Sequence, residues 1–243
     1  MAAVTLVLAV IPARYGATRF PGKPLAPLWG RPMLQHVWER ARVAPGIGNV
    51  IIATDDERIA NAARSWGAMV EMTSPDCASG TDRVAEVAGR NADAPIVLNI
   101  QGDEPELDSD AVGRLIAAMR AEPDVRMGTL AHAEHNATAL AAPDVVKVGV
   151  DARSFALYFT RRWPVPDRRG VMLRHVGVYA FTRDFLLEFA AWPPGRMEQE
   201  ERLEQLRALE HGVPIRVVSG SRPFTGVDTP EQLAALERRG PRS

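Results

Sequence analysis

The sequence predicts an α/β fold built on a doubly wound, largely parallel central sheet flanked by helices, and three observations carry that expectation. Apolar runs at residues 4–11, 49–54 and 95–100 have the unbroken character of strands buried on both faces. Helical patterns with one apolar face separate them. The resulting β-α-β alternation fills the first half of the 243-residue chain.

Each element has a local reason. Val4–Ile11, interrupted only by Thr5, reads as the first buried strand. Pro32 suits the first turn of a helix over Met33–Val43, with Leu34, Val37, Trp38 and Ala41 on one face. Asn49–Thr54 is the second strand, after which Asp56 caps a helix closed by Gly67. Ala68–Met72 is a short third strand, and the loop Thr73–Gly80 leads into a helix through Val84, Val87 and Ala88. Pro95–Ile100 is the most apolar strand, and Asp108 caps a helix to Met119. Beyond Arg126 the pattern changes, with strands expected at Met127–Ala131, Val145–Val150 and Phe155–Thr160. The last two can pair as a hairpin around Asp151-Ala152-Arg153. Pro164–Gly170 has no periodicity and reads as a loop, followed by a strand at His175–Phe181. Helices are expected over Arg183–Ala191 and Met197–His211, the second with Leu203, Leu206 and Leu209 inward and Gly212 at its end. Ile215–Ser219 is a late strand, and Thr229 with Pro230 begins a terminal helix.

Composition narrows the function classes. A net charge of −1 gives no basic footprint for nucleic acid. The single cysteine, Cys77, excludes an internal disulfide framework and a cysteine metal cluster. The opening apolar run is too short to span a bilayer and has no basic leader before it, so a cytoplasmic protein without a membrane partner is expected. No internal repeat or long linker divides the chain, and residues 1–243 read as a single domain.

The chemistry concentrates at strand ends. The first strand runs into a Gly- and Pro-rich loop carrying Arg14, Arg19 and Lys23. In open α/β sheets ligands bind beyond the carboxyl ends of strands, where these charges and freed backbone N–H groups suit a polyphosphate. The alternative is a surface loop of solvated arginines. Only two of the 29 Lys and Arg residues are lysines, which marks Lys23 as a position needing a compact point charge. The other, Lys147, sits in an apolar context where chance survival or a structural ion pair accounts for it. The loop misses the spacing of a P-loop, and no G-x-G-x-x-G follows a strand, so neither a P-loop NTPase nor a dinucleotide fold is indicated. Asp103, just past the strand Pro95–Ile100, and Asp228, far along the chain, could together hold Mg²⁺ on a nucleoside triphosphate. Taken singly, Asp103 suits a turn and Asp228 a helix cap.

Seven blocks, in order, decide between these readings: Ile11-Pro12-Ala13-Arg14, Phe20-Pro21-Gly22-Lys23-Pro24-Leu25, Ser79-Gly80-Thr81-Asp82-Arg83, Asn99-Ile100-Gln101-Gly102-Asp103-Glu104-Pro105, Leu173-Arg174-His175-Val176-Gly177-Val178-Tyr179, Leu203-Glu204-Gln205-Leu206-Arg207 and Gly226-Val227-Asp228-Thr229-Pro230. Across nearly its whole length the chain resembles the 3-deoxy-D-manno-octulosonate (Kdo) cytidylyltransferases, the CMP-Kdo synthetases of lipopolysaccharide assembly. The resemblance implies a Rossmann-like nucleotidyltransferase fold with a small β-rich dimerisation lobe inserted around residues 126–175, and a homodimer. It implies transfer of CMP from CTP to the anomeric hydroxyl of Kdo, with Mg²⁺ and release of pyrophosphate. Carried over by motif, Ala13, Arg14, Arg19, Lys23, Ser79, Gly80, Arg83 and Asp103 bind the nucleotide, with Arg14, Arg19 and Lys23 on the triphosphate and Ser79, Gly80 and Arg83 at the cytosine and ribose. Asp103 and Asp228 bind the metal and, with Arg14 and Lys23, carry the catalysis. Gln101, Arg161, His175, Tyr179, Glu204 and Gln205 form the acceptor pocket, where Arg161 suits a carboxylate and Glu204 and Gln205 suit sugar hydroxyls. The chain departs from the family at Cys77, where a histidine is common, and in the 160–170 loop beside the acceptor pocket. Two rival readings follow: a cytidylyltransferase for another small acid (8-amino-Kdo, another ulosonic acid or a phosphonate), or a nucleotide-binding protein without catalysis.

Overall fold

A computed structural model describes residues 6–16, 20–162, 172–220 and 226–241 of the chain. Strand β1 (Val7–Ala13) leads to a short 3₁₀ turn (Lys23–Leu25), a small hairpin β2 (Pro27–Leu28) and β3 (Arg31–Pro32), and helix α1 (Met33–Arg42). Next come β4 (Asn49–Thr54), α2 (Glu57–Ser65), β5 (Met69–Met72), α3 (Gly80–Arg90), β6 (Ile96–Ile100) and α4 (Ser109–Ala121). The second half holds β7 (Met127–Glu134), α5 (Ala137–Ala141), β8 (Lys147–Val150), β9 (Ala156–Thr160), β10 (Met172–Thr182) and α6 (Arg183–Ala191). It ends with α7 (Arg196–Glu201), α8 (Leu206–Glu210), β11 (Ile215–Ser219) and α9 (Pro230–Arg239).

The main sheet runs β11-β7-β10-β6-β1-β4-β5. β5, β4, β1 and β6 are parallel, as are β7 and β11, whereas β10 lies antiparallel between β6 and β7. The apolar run of β1 is shared between the two faces by the alternation of a strand. Val7, Ala9 and Ile11 join the core under α1 and α4 with Leu34, Val37, Leu115 and Ile116. Leu8 and Val10 face the opposite layer with Val84, Val87, Phe185 and Phe189 of α3 and α6. Burial on both faces is why these strands read as unbroken hydrophobic runs.

Caps fall where side-chain chemistry places them. Asp56 accepts from the Arg58 N–H, and Asp108 from the N–H groups of Asp110 and Ala111. Ser79 and Asp82 form a capping box on α3, as do Thr229 and Gln232 on α9. Gly67 and Gly212 take the positive φ that ends their helices.

Four features add to or differ from the expectation. The expected helix over Met197–His211 is broken into α7 and α8, with Arg202 left-handed at φ 55°. Tertiary bonds override helix propensity here. Thr81 of α3 donates to Glu204, and the Tyr179 hydroxyl donates to Gln205 Oε1 at 3.1 Å. The β2–β3 hairpin, without apolar periodicity, turns through Trp29 and Gly30, both at positive φ. It is fixed by α9, because Trp29 N–H donates to Glu237 at 2.5 Å. Within the 126–175 region, where the resemblance implies an inserted lobe, β7 lies in the main sheet beside β10, and the β8–β9 hairpin branches from the start of β10. Finally, Lys147, for which chance survival or a structural ion pair was the expectation, is fully buried, and among the described residues its ammonium bonds the carbonyls of Val145 and Arg161. Residues Val4 and Thr5 of the expected first strand and the Pro164–Gly170 loop lie outside the described residues.

Candidate active site

Two clefts open at the carboxyl ends of the parallel strands, where α/β folds bind ligands. The first, about 300 Å³, lies between the loop after β1, the N-terminus of α3 and the turn after β6. The second, about 310 Å³, lies between that same turn, the first half of β10 and the α7–α8 break. Gln101, Asp103 and Asp228 line both, so the clefts meet at those three side chains.

Lys23 stands at the junction. The 3₁₀ turn begins at Gly22, whose positive φ starts it, and it aims the ammonium inward. Nζ donates to Asp103 Oδ2 at 2.7 Å, to the Val227 carbonyl at 3.0 Å and to Asp228 Oδ1 at 3.4 Å. The segment carrying Asp228 is tied down through its backbone, since Val227 N–H donates to the Asp103 carbonyl at 2.8 Å. Asp228 also sits one residue before the α9 cap, with its own N–H bonded to Gln232. The two aspartates therefore converge on one atom from positions 125 residues apart in the chain.

One ammonium beside two carboxylates leaves an excess of one negative charge if all three are ionised, which would repel a triphosphate. A divalent cation reverses that balance, and two carboxylates are the hard oxygen donors Mg²⁺ takes together with phosphate oxygens and water. No group of three or more His, Cys, Asp or Glu side chains suited to a metal occurs among the described residues. The donor set thus fits a cation shared with a substrate polyphosphate better than an all-protein metal cage.

The first cleft also takes Ala13, Arg14, Ser79, Gly80 and Arg83 to its walls. Arg83 differs from expectation in one respect. It is buried, and its guanidinium is held by Thr73 and by Asp55 at 3.3 Å, so part of its donor set is engaged within the protein while it lines the cleft wall. Cys77 lies at the rim and donates its thiol to Glu86 at 3.3 Å, and burial pushes that thiol up. Arg19 lies outside the described residues.

The second cleft gathers Arg161, His175, Tyr179, Glu204 and Gln205 with Gln101. Two glycines permit the close approach of its walls: a Cβ on Gly177 would lie 2.9 Å from Gln101 Cγ, and one on Gly226 would lie 3.2 Å from the Glu104 carboxylate. A hydrogen-bond chain orients the polar groups. Glu204 accepts from Thr81, Thr81 Oγ1 accepts from Asn99 Nδ2 at 3.1 Å, and Asn99 Oδ1 accepts from Gln101 Nε2 at 3.1 Å. The Gln101 amide is thereby fixed by its nitrogen, leaving its oxygen for another donor. The bond from Tyr179 fixes Gln205 by its oxygen and leaves Nε2 without a hydrogen-bond partner among the described residues.

Burial sets the charge states. His175, enclosed by the rings of Phe159 and Tyr179, is pushed down to about 3 by burial and then by Arg161. Burial raises Glu204. Glu104, which sequence reasoning passed over, is pushed up to about 8 by burial and by Asp103 beside it, and its Oε2 has no hydrogen-bond partner among the described residues. Arg174 is a second cleft residue missed from the sequence, although both stand inside the quoted blocks. The signal available for Glu104 was its position just past a strand end, whereas Arg174 has the parity opposite to His175 and Gly177 in β10, so strand alternation does not report it.

Known proteins resemble this chain along nearly its whole length. A family model described as cytidylyltransferase matches residues 8–215. The chain is 50% identical over 237 residues to 3-deoxy-manno-octulosonate cytidylyltransferase of Solibacter usitatus, covering 96% of this chain and 93% of that protein. It is 51% identical to the protein of that name from an Anaeromyxobacter species, covering 97% and 98%. It is also 46% identical to 8-amino-3,8-dideoxy-manno-octulosonate cytidylyltransferase of a Shewanella species, covering 96% and 98%. Among solved structures, CMP:2-keto-3-deoxy-manno-octonic acid synthetase complexed with CTP superposes with a TM-score of 0.90 at 42% identity, covering 96% and 98%. With the family model spanning most of the chain and relatives at about half identity along its whole length, this chain belongs to the 3-deoxy-manno-octulosonate cytidylyltransferase family.

Proposed function

We propose that this chain transfers CMP from CTP to the anomeric hydroxyl of 3-deoxy-manno-octulosonate and releases pyrophosphate. The observation that carries this reading is the meeting of two clefts at Gln101, Asp103 and Asp228, beside the Lys23 ammonium, one walled by basic and backbone groups and one by polar side chains suited to sugar hydroxyls. CTP occupies the first, with Arg14, Arg19 and Lys23 on the triphosphate and the Ser79-Gly80 turn against the pyrimidine. The acid acceptor occupies the second. Arg161 takes its carboxylate, and Gln101, Glu204 and Gln205 take its hydroxyls. The hydroxyl oxygen then attacks the α-phosphorus in line. Its bond to phosphorus forms, it gives up its proton, and pyrophosphate departs. Lys23 meets the charge developing at the α-phosphate. Asp103 and Asp228 would hold Mg²⁺, which when bound neutralises charge on the triphosphate and on the leaving pyrophosphate.

A second acceptor has support of its own, since relatives at 46% identity act, by their names, on the 8-amino acid. The described residues contain no helix long and apolar enough to cross a membrane. We assign the chain to the cytoplasm, where free CTP would be available to it.

The homodimer is assigned to the β8–β9 hairpin. Among the described residues β9 has a ladder partner only in β8, and it exposes Leu157 (62%) and Tyr158 (36%). An open edge with exposed apolar side chains is a surface that a second copy can cover. Light scattering should give twice the 26.5 kDa chain mass, and Leu157→Asp should give the monomer. A monomeric wild type, or a dimer unaffected by Leu157→Asp, contradicts the assignment.

Pyrophosphate release tests the reaction across CTP, UTP, 3-deoxy-manno-octulosonate and its 8-amino analogue. Release is expected with CTP and one of these octulosonates, and to stop with EDTA; no release with either octulosonate would overturn the proposal. Lys23→Ala should lower kcat about 100-fold while leaving the KM for CTP within about three-fold. Lys23→Arg should not restore it, because a fork cannot replace a point charge in this turn. Arg161→Ala should instead raise the acceptor KM about ten-fold with the CTP KM unchanged.

The neutral His175 gives a pH signature. In the unfolded chain this ring takes a proton near 6.5, whereas in the fold it stays neutral down to about 3. The unfolded state therefore binds more protons in that window, and stability falls as pH drops from about 6.5 toward 3. His175→Gln should lose less Tm than the wild type between pH 7 and pH 5. Equal losses would show that His175 is not held neutral.

A further inference from the structure

Lys147 is a buried charged residue that the reaction does not use. It is 0% exposed, yet a buried ammonium is costly unless its surroundings answer it. Burial lowers its pKa foremost, with Arg161 acting in the same direction and Asp144 and Glu201 against it. What Nζ bonds is backbone: the carbonyl of Val145, at 2.9 Å, and that of Arg161. Lys147 is paired with Thr160 in the β8–β9 ladder, so it stands at the mouth of the hairpin just where Arg161 leaves it.

The other side of Arg161 is held as well. Its N–H donates to Glu201 Oε2 at 3.2 Å, and the same oxygen lies 3.5 Å from the hydroxyl of Thr160. Its guanidinium donates to the Asp144 carbonyl at 3.3 Å. Thus one residue at a strand end has its N–H on a carboxylate and its C=O on an ammonium. Such oppositely charged partners on successive peptide groups fix the backbone direction, and with it where the side chain starts. Arg161 lines the second cleft.

We propose that Lys147 and Glu201 are positioning residues that clamp the peptide groups of Arg161 and so hold its guanidinium ready for the carboxylate of the acceptor. This rests on the acceptor reading of the second cleft. The two jaws are not equivalent. Removing the lysine leaves two carbonyls without their donor, whereas removing the glutamate frees the N–H at a partly exposed edge where water can reach it. Methionine fills much of the volume of lysine, and a buried charge replaced by an apolar group of similar size commonly leaves a fold intact.

The test is a double-mutant cycle on the full-length chain, with CTP and 3-deoxy-manno-octulosonate (or its 8-amino analogue, if that is the better substrate) varied separately. Lys147→Met should raise the acceptor KM about ten-fold, leaving the CTP KM and kcat within about two-fold. In an Arg161→Ala background the same substitution should add less than about two-fold, since the group it positions is gone. A purely structural lysine would instead act by the same factor in both backgrounds, or on both substrates together, and either result overturns the clamp. Should Lys147→Met not fold, Glu201→Ala supplies the second measurement, with a smaller rise in acceptor KM that likewise vanishes with Arg161→Ala; an undiminished rise there overturns the clamp. Failure of the underlying reading looks different: a wild type inactive on both octulosonates, or an Arg161→Ala enzyme with normal acceptor KM, strikes the assignment of the cleft itself.

Discussion

The ammonium of Lys23 is shared by two carboxylates and one carbonyl, and the rest of the site is arranged around that sharing. Lys23 comes from the loop after the first strand, Asp103 from the turn after the central strand β6, and Val227 with Asp228 from the approach to the last helix. Each of the three stretches is fixed by its own local chemistry: a 3₁₀ turn, a strand end and a capped helix N-terminus. None of them alone makes a reaction centre. The lysine gives the two like charges a common counter-ion and so lets them stand close together.

The second consequence concerns the sheet. A purely parallel sheet would leave the crevice beyond β6 open on its β10 side. With β10 antiparallel, its first half, Leu173 to Gly177, lies at the same end as the carboxyl terminus of β6, and Gln101 N–H donates to the Gly177 carbonyl at 3.2 Å. This puts an acceptor cleft edge to edge with a nucleotide cleft, and two glycines bring the walls close enough for them to share Gln101, Asp103 and Asp228. The chain from Glu204 through Thr81 and Asn99 to Gln101 links the two clefts by polarity. Thr81 belongs to the helix whose N-terminus walls the first cleft, while Glu204 and Gln101 line the second.

Much of this was legible in the sequence because it rests on local signals. The doubly buried strands, the caps at Asp56, Ser79, Asp108 and Thr229, and the closing glycines follow from hydrophobic run length and cap chemistry. Lys23 stood out by the rarity of lysine, and Asp103 by its position at a strand end. The misses are tertiary. The break at Arg202 exists because Glu204 and Gln205 answer to Thr81 and Tyr179, distant partners that no helical periodicity reports. Arg83 lines the first cleft as expected, but its anchoring on Thr73 and Asp55 comes from residues distant in the chain that no local signal reports. Lys147 seemed a matter of chance or an ion pair until its two carbonyl partners were in view.

The central claim is that Asp103 and Asp228 act as a pair on a metal–nucleotide complex at Lys23. Its most direct test needs no turnover: Mn²⁺ binding to the chain with saturating CTP, followed by electron paramagnetic resonance, in the wild type and in Asp103→Asn and Asp228→Asn. The account predicts tight Mn²⁺ binding in the presence of CTP, weakened about ten-fold or more by either substitution in a chain of unchanged Tm. Affinity unchanged by either substitution would contradict it, because the two carboxylates would then meet at Lys23 only to balance its charge.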